Sequence, residues 1–165
     1  LDAVTGHATA KTLWSPSPTA ATGSIIPGLA TVFGLAIGIG DGVVPTLSAR
    51  GVPSIGATIS LDVARARSLA PLALILGTSN TTSGGGALPF DLGTIGAPGC
   101  HLLASTDLAF ALTASAGGTA TLPLPIPNSQ ALRGLHLYQQ AFAVDLGANQ
   151  LGISATAGLH VVTGY

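Results

Sequence analysis

The stretch that decides the fold is LHLYQQAFAV, residues 135–144, which carries no charged side chain. Alternate residues of a β-strand point to opposite faces, so His136, Tyr138, Gln140 and Phe142 share one face. The other face holds Leu, Gln and Ala and is equally uncharged. A strand of an isolated antiparallel sandwich normally has one polar, solvated face. The pattern therefore predicts a strand covered on both sides, with the outer cover supplied by an N-terminal arm or by another subunit.

Short strand-like runs continue outward from this segment, separated by the Gly, Pro and Asn residues that build turns. Helical periodicity is absent, apart from one turn at residues 129–133. Many short strands at even spacing predict an all-β fold, an antiparallel, Greek-key-like or jelly-roll-like β-sandwich over residues 24–165. The expected strands cover residues 29–39, 44–50, 55–65, 71–78, 100–105, 108–114, 118–125, 134–145 and 150–163, the last one broken near Gly158.

Residues 1–23 differ from the rest of the chain. They contain its single Lys, Lys11, and its single Trp, Trp14. The sequence Ser-Pro-Ser-Pro at residues 15–18 favours an extended path. We expect an extended N-terminal arm that is disordered, folds back onto its own domain or pairs with a neighbouring copy.

Charge is scarce, at 7% of residues, against about 25% in an average soluble protein. Binding of phosphate backbones needs clustered Lys and Arg side chains, so nucleic acid is excluded as an expected partner. Arg65 and Arg67 are expected to occupy one face of a solvated strand edge. The net charge of −1 gives copies little mutual repulsion, which promotes self-association.

The apolar run SIIPGLATVFGLAIGIG, residues 24–40, is long enough to be considered as a membrane span. Its 17 residues are at the short limit, and Pro27 and several glycines interrupt it. It also lacks basic flanks, so we expect buried strands. The chain contains no Met and starts at Leu1, which we interpret as a mature product or an excised domain. We expect an exported protein, secreted or held at the cell surface.

Groups that carry catalysis or bind cofactors are few. The four histidines, His7, His101, His136 and His160, show no spacing typical of metal ligands. No G-x-S-x-G nucleophile elbow is present. The lone Cys100 precedes an apolar run and is expected to be a buried, inert thiol. We therefore expect no catalytic, metal or cofactor site, and interpret the protein as a non-enzyme.

Five segments share a characteristic arrangement of Gly and Pro. They are PTLSARGVPSIG (45–56), LILGTS (74–79), ALPFDLGTIGAPGC (87–100), TATLPLPIPN (119–128) and LRGLHLYQQ (132–140). Over about residues 38–165 the chain resembles Gly/Pro-rich β-sandwich domains, often C-terminal, of exported bacterial surface proteins. The resemblance implies an appended surface module without a catalytic motif. Those domains often have a second Cys where this chain has Asp41, so their disulfide to Cys100 cannot form here.

These features favour a non-catalytic structural subunit of an extracellular filament or surface layer, with copies of itself as partners. Addition of the arm to the sheet of a neighbouring copy would join the subunits. The residues expected to take part in assembly are Leu13, Trp14, Tyr138 and Phe142. The alternative is a monomeric surface binding module for a glycan or a protein, which a row of exposed aromatic side chains would favour. A small enzyme would need a cleft that brings a His and an Asp together.

Overall fold

Antiparallel strands dominate the computed structural model, which describes Gly28, residues 30–34 and residues 44–165. The all-β prediction is confirmed, since 48% of the structure is strand and no helix in the described part of the chain reaches seven residues. In the described residues the strands are β1 (Ala30–Phe33), β2 (Thr46–Arg50), β3 (Thr58–Ala64), β4 (Pro71–Gly77), β5 (Thr82–Ser83), β6 (Gly86–Ala87), β7 (Phe90–Asp91), β8 (His101–Leu102), β9 (Leu108–Thr113), β10 (Ala120–Pro125), β11 (His136–Val144), β12 (Ile153–Ala155) and β13 (Gly158–Val162). Short 3-10 turns cover Leu92–Ile95 and Gln130–Leu132.

Two sheets form the sandwich. The large sheet has the order β1-β13-β11-β4-β9, and β12 pairs with the C-terminal end of β11. The small sheet has the order β10-β3-β2. Between them lies the main core, built from the inward side chains of alternate strand positions, such as Leu61 and Val63 on β3 and Leu72 and Leu74 on β4.

The central strand of the large sheet, β11, pairs with β4 on one side and with β13 on the other. Its core face carries Gln139, Ala141 and Ala143, all buried. Gln139 is 0% exposed, and neither atom of its side-chain amide has a hydrogen-bond partner. A polar group in that position opposes folding, because it has lost water without gaining a partner.

Residues 78–105, which we call the cap segment, fold over part of the outer face of the large sheet. The segment holds the β5–β6 hairpin, the β7–β8 pair and the Leu92–Ile95 turn. A second apolar cluster, which includes Leu92, Cys100 and Ala155, packs against Phe142 on that face. The C-terminal half of β11 is thus covered by its own chain. The expectation of cover from the arm or another subunit is wrong for this half.

Among the described residues, the longer strands lie close to their expected positions, whereas β5, β6 and β7 were not expected and β8 covers two of the six residues expected at 100–105. Arg65 and Arg67 follow the end of β3 and belong to a turn, so their expected placement on a strand is wrong. The reason is local, since Arg65 has a left-handed φ of 61°, which no strand residue adopts. The arm, residues 1–23, lies outside the described residues. No helix in the described part of the chain is long and apolar enough to cross a membrane.

Candidate functional site

Four rings gather on the outer face of the large sheet, beside the area covered by the cap segment. We call this group, Phe33, His136, Tyr138 and His160, the ring patch. Tyr138 and His160 are directly opposite each other in the β11–β13 register and stack with their centroids 4.5 Å apart. Phe33 meets Tyr138 edge-on at 5.7 Å, and His136 stacks on His160 at 5.0 Å. All four side chains are half-buried, so the patch is a partly open aromatic surface.

The absence of a side chain at Gly158 makes room for Phe33. The two residues are opposite each other in the β1–β13 register. A methyl group at Gly158 would collide with the Phe33 ring. The ring therefore lies over the glycine and fills the space that a side chain would take, which attaches β1 to the patch.

The two histidines of the patch form a hydrogen bond. His136 Nδ1 and His160 Nε2 are 3.0 Å apart, so one of these nitrogens donates a proton to the other. Burial lowers the pKa of His160, and the neighbouring His136 charge lowers it further. Burial raises the pKa of the Tyr138 hydroxyl. Both shifts favour the uncharged forms of Tyr138 and His160.

Phe142 shares the face of Tyr138 but lies in a different environment. Its ring packs under the cap segment, whose position depends on Gln140. The Gln140 side-chain oxygen accepts the Leu103 N–H, and its amide nitrogen donates to the carbonyl oxygens of His101 and Thr156, all at 2.9 to 3.0 Å. Tyr138 thus belongs to the open half of the face, and Phe142 to the capped half.

The other expected site residues belong to the arm. Leu13 and Trp14 lie outside the described residues, as does His7. Sequence reasoning missed the His136–His160 pair, because the two residues are 24 positions apart. The signal that could have found it is the strand register, since an antiparallel β11–β13 pair with Tyr138 opposite His160 places His136 on the same face.

The edges of the sandwich differ from one another. Among the described residues, no strand pairs with the outer edge of β9, whose sequence LAFALT is uncharged and lacks proline. The outer edge of β10 contains Pro123 and Pro125. The edge strand β2 ends in exposed Arg50, which pairs with Asp62 at 3.1 Å. Charges and prolines discourage pairing with other chains, so β9 is the least protected of these three edges.

The remaining reactive groups are dispersed. In the described part of the chain, no three His, Cys, Asp or Glu side chains come together as metal ligands do. Cys100 is 1% exposed, as expected, and burial raises the pKa of its thiol, which disfavours the nucleophilic thiolate. Asp107 accepts hydrogen bonds from the Thr78 N–H and hydroxyl, which lower its pKa. These groups stabilise a turn or fill the core.

Comparison with known proteins returned no matching family model, no similar curated protein and no similar solved structure. The geometry of the patch and of the sheet edges is thus the basis for a functional proposal.

Proposed function

We propose that the protein is a non-catalytic structural subunit of the extracellular space or cell surface, which assembles with copies of itself into a filament or surface layer. The N-terminal arm of one copy adds as a strand to the sheet of the next. The observation that carries this proposal is the outer edge of β9, uncharged and without a strand partner among the described residues. Such an edge is a ready template for pairing with another chain.

The position of the arm supports an open assembly. Gly28, at the end of the N-terminal region, donates its N–H to Val162 on β13 and leads into β1. Gly28 and β1 thus lie at the edge of the large sheet opposite to β9. A contact between opposite edges of two copies is head-to-tail, so it leaves both ends free and builds a filament. Low net charge, at −1, removes electrostatic opposition to such stacking.

The first test is the particle state of the purified protein, measured by negative-stain imaging and sedimentation at micromolar concentration. We expect regular polymers, and we expect deletion of residues 1–20 to abolish them while the urea midpoint of the sandwich is retained. Polymers that persist after the deletion would exclude the arm as the joining element. A compact monomer for the full chain would exclude the structural proposal itself.

A second candidate function is a monomeric surface module that binds a glycan or a protein. The observation that favours it is the ring patch, where Tyr138, His160 and Phe33 present a partly open aromatic surface. Flat aromatic surfaces with polar edges suit stacking against sugar rings. Glycan-array binding by a monomer, lost in Tyr138→Ala but kept in Phe90→Ala at an exposed ring elsewhere, would favour this function over assembly.

A further inference from the structure

We infer that the arm of a second copy enters the opening between β9 and β10, at one side of the sandwich. This inference rests on the proposed function, since it identifies the acceptor for the same arm. The two strands belong to different sheets and are neighbours across the sandwich. Three properties of the opening favour an added strand. They are the outward backbone groups of β9, the contrast between the β9 and β10 edges, and the incomplete cover of the core.

The first property is the direction of the backbone groups of β9. Ala114 donates its N–H to the Ala70 carbonyl oxygen at 2.9 Å, at the end of the β4–β9 pair. Residues that exchange bonds with the partner alternate along an antiparallel pair with residues that do not. Since Ala114 is bonded toward β4, Thr113 and every second residue before it turn their N–H and C=O groups away from β4, toward the open edge. These residues are Ala109, Ala111 and Thr113, all exposed.

The second property is the contrast with β10. Ile126 donates its N–H to the Ala57 carbonyl oxygen at 2.8 Å, next to the β3–β10 pair. The same alternation assigns the outward positions of β10 to Thr121, Pro123 and Pro125. Proline has no N–H, so two of these three positions cannot donate to an added strand. Of the two edges that border the opening, β9 is therefore the one able to form a full ladder.

The third property is the incomplete cover of the core at this opening. On the inner strands β3 and β4, core-facing residues such as Leu61 and Leu74 are fully buried. The core-facing residues that border the opening are only half-buried, and Leu108 is 55% exposed. The half-buried ones are Phe110, Leu112, Leu122 and Leu124. An added strand with large apolar side chains on its inner face would remove this surface from water.

The arm fits this opening in composition and reach. Because neighbouring residues of a strand point to opposite faces, one of Leu13 and Trp14 would supply a large apolar side chain to the core. Residues 12–22 are uncharged like β9 itself. The first described strand, β1, lies about 19 Å from β9, at about 4.8 Å per strand spacing. The small sheet covers one face of the large sheet between these edges, and the cap segment crosses part of the other. These obstacles disfavour return of the arm to its own β9 and favour a second copy.

The test uses the full-length chain and Ala111→Pro, which removes an outward N–H and leaves the bonds to β4 intact. We expect A111P to lose sedimentable polymer and to keep the urea midpoint of the wild type. The matched control is Ala111→Ser, which keeps the N–H and should polymerise normally. Mixing A111P, which still has its arm, with the double variant Leu13→Ser/Trp14→Ser, which still has its β9 edge, should give one-to-one dimers by sedimentation.

The outcomes separate this inference from the proposed function. If L13S/W14S loses polymer and A111P polymerises like the wild type, the acceptor is not β9, although the structural function stands. If the wild type itself is a monomer, the proposed function fails first. Should A111P lower the urea midpoint, the substitutions Ala109→Lys and Ala111→Lys together replace it, because they add charge to the edge without altering the backbone. Normal polymers in that variant would overturn the inference.

Discussion

The two halves of the outer face of β11 have similar sequences and different surroundings. In the capped half, Gln140 and Phe142 lie under residues of the same chain, and Gln140 is 0% exposed. In the open half, His136 and Tyr138 remain half-buried at the surface. The difference depends on the Gln140 amide, which bonds the cap segment at Leu103 and His101 and also bonds Thr156, next to β12. An uncharged strand face thus indicates cover of some kind, but a single polar residue determines where that cover attaches.

The largest expected effect is that of Gln140→Leu, which removes the side-chain hydrogen bonds of the capped half. The variant leaves the Leu103 N–H and the carbonyl oxygens of His101 and Thr156 without their partner in a buried position. At about 1–3 kcal/mol for each buried group left unpaired, we expect a loss of several kcal/mol in the free energy of unfolding. Urea denaturation measures it, and limited proteolysis should show faster cleavage within residues 78–105. An unchanged midpoint and cleavage rate would show that the cap is held by its apolar contacts alone.

The neighbouring glutamine, Gln139, provides the matched control, for which we expect a change in the free energy of unfolding of opposite sign. Gln139 is equally buried, but its amide has no hydrogen-bond partner. Gln139→Leu replaces it with an apolar side chain of similar size between Leu76 and Leu159 in the register. We expect a gain of about 1–3 kcal/mol in the free energy of unfolding, because an unsatisfied buried group is removed. A loss of stability in the urea midpoint would mean that the amide has a partner, such as a buried water.

The longer strands could be predicted from the sequence because the patterns that indicate them are local. Alternation and turn residues placed β3 and β11 to within a few residues. The cap segment could not be predicted, since strands of two residues, such as β5 and β7, carry no period. Their position depends on Gln140, which is more than 30 residues away from Leu103 along the chain. Local patterns contain no information about such a pairing.

The candidate site also has features that the sequence predicted and features that it could not predict. Alternation in residues 135–144 identified Tyr138 and Phe142 as residues of one face, and the structure places them there. It could not separate them into an open and a capped environment, because the separation depends on the cap segment. The His136–His160 pair needed the β11–β13 register, which joins residues 24 positions apart. The acceptor role of β9 and the arm residues Leu13 and Trp14 stay predictions.

The smallest expected effect is the response of the open half to pH. Burial, and then the charge of His136, lower the pKa of His160 in the folded state below its usual value near 6.5. The unfolded chain therefore binds the proton more readily than the folded chain. Stability is then fully present above about pH 7 and falls as the pH drops from about 6.5 toward the lower folded pKa.

Urea midpoints measured between pH 8 and pH 5 test this response. His160→Gln should flatten the curve. An equal slope in wild type and H160Q would show that the half-open patch keeps enough water to solvate a charged imidazole. In that case the ring patch would be open to solvent and able to contact a sugar or peptide, which would favour the binding function over a purely structural one.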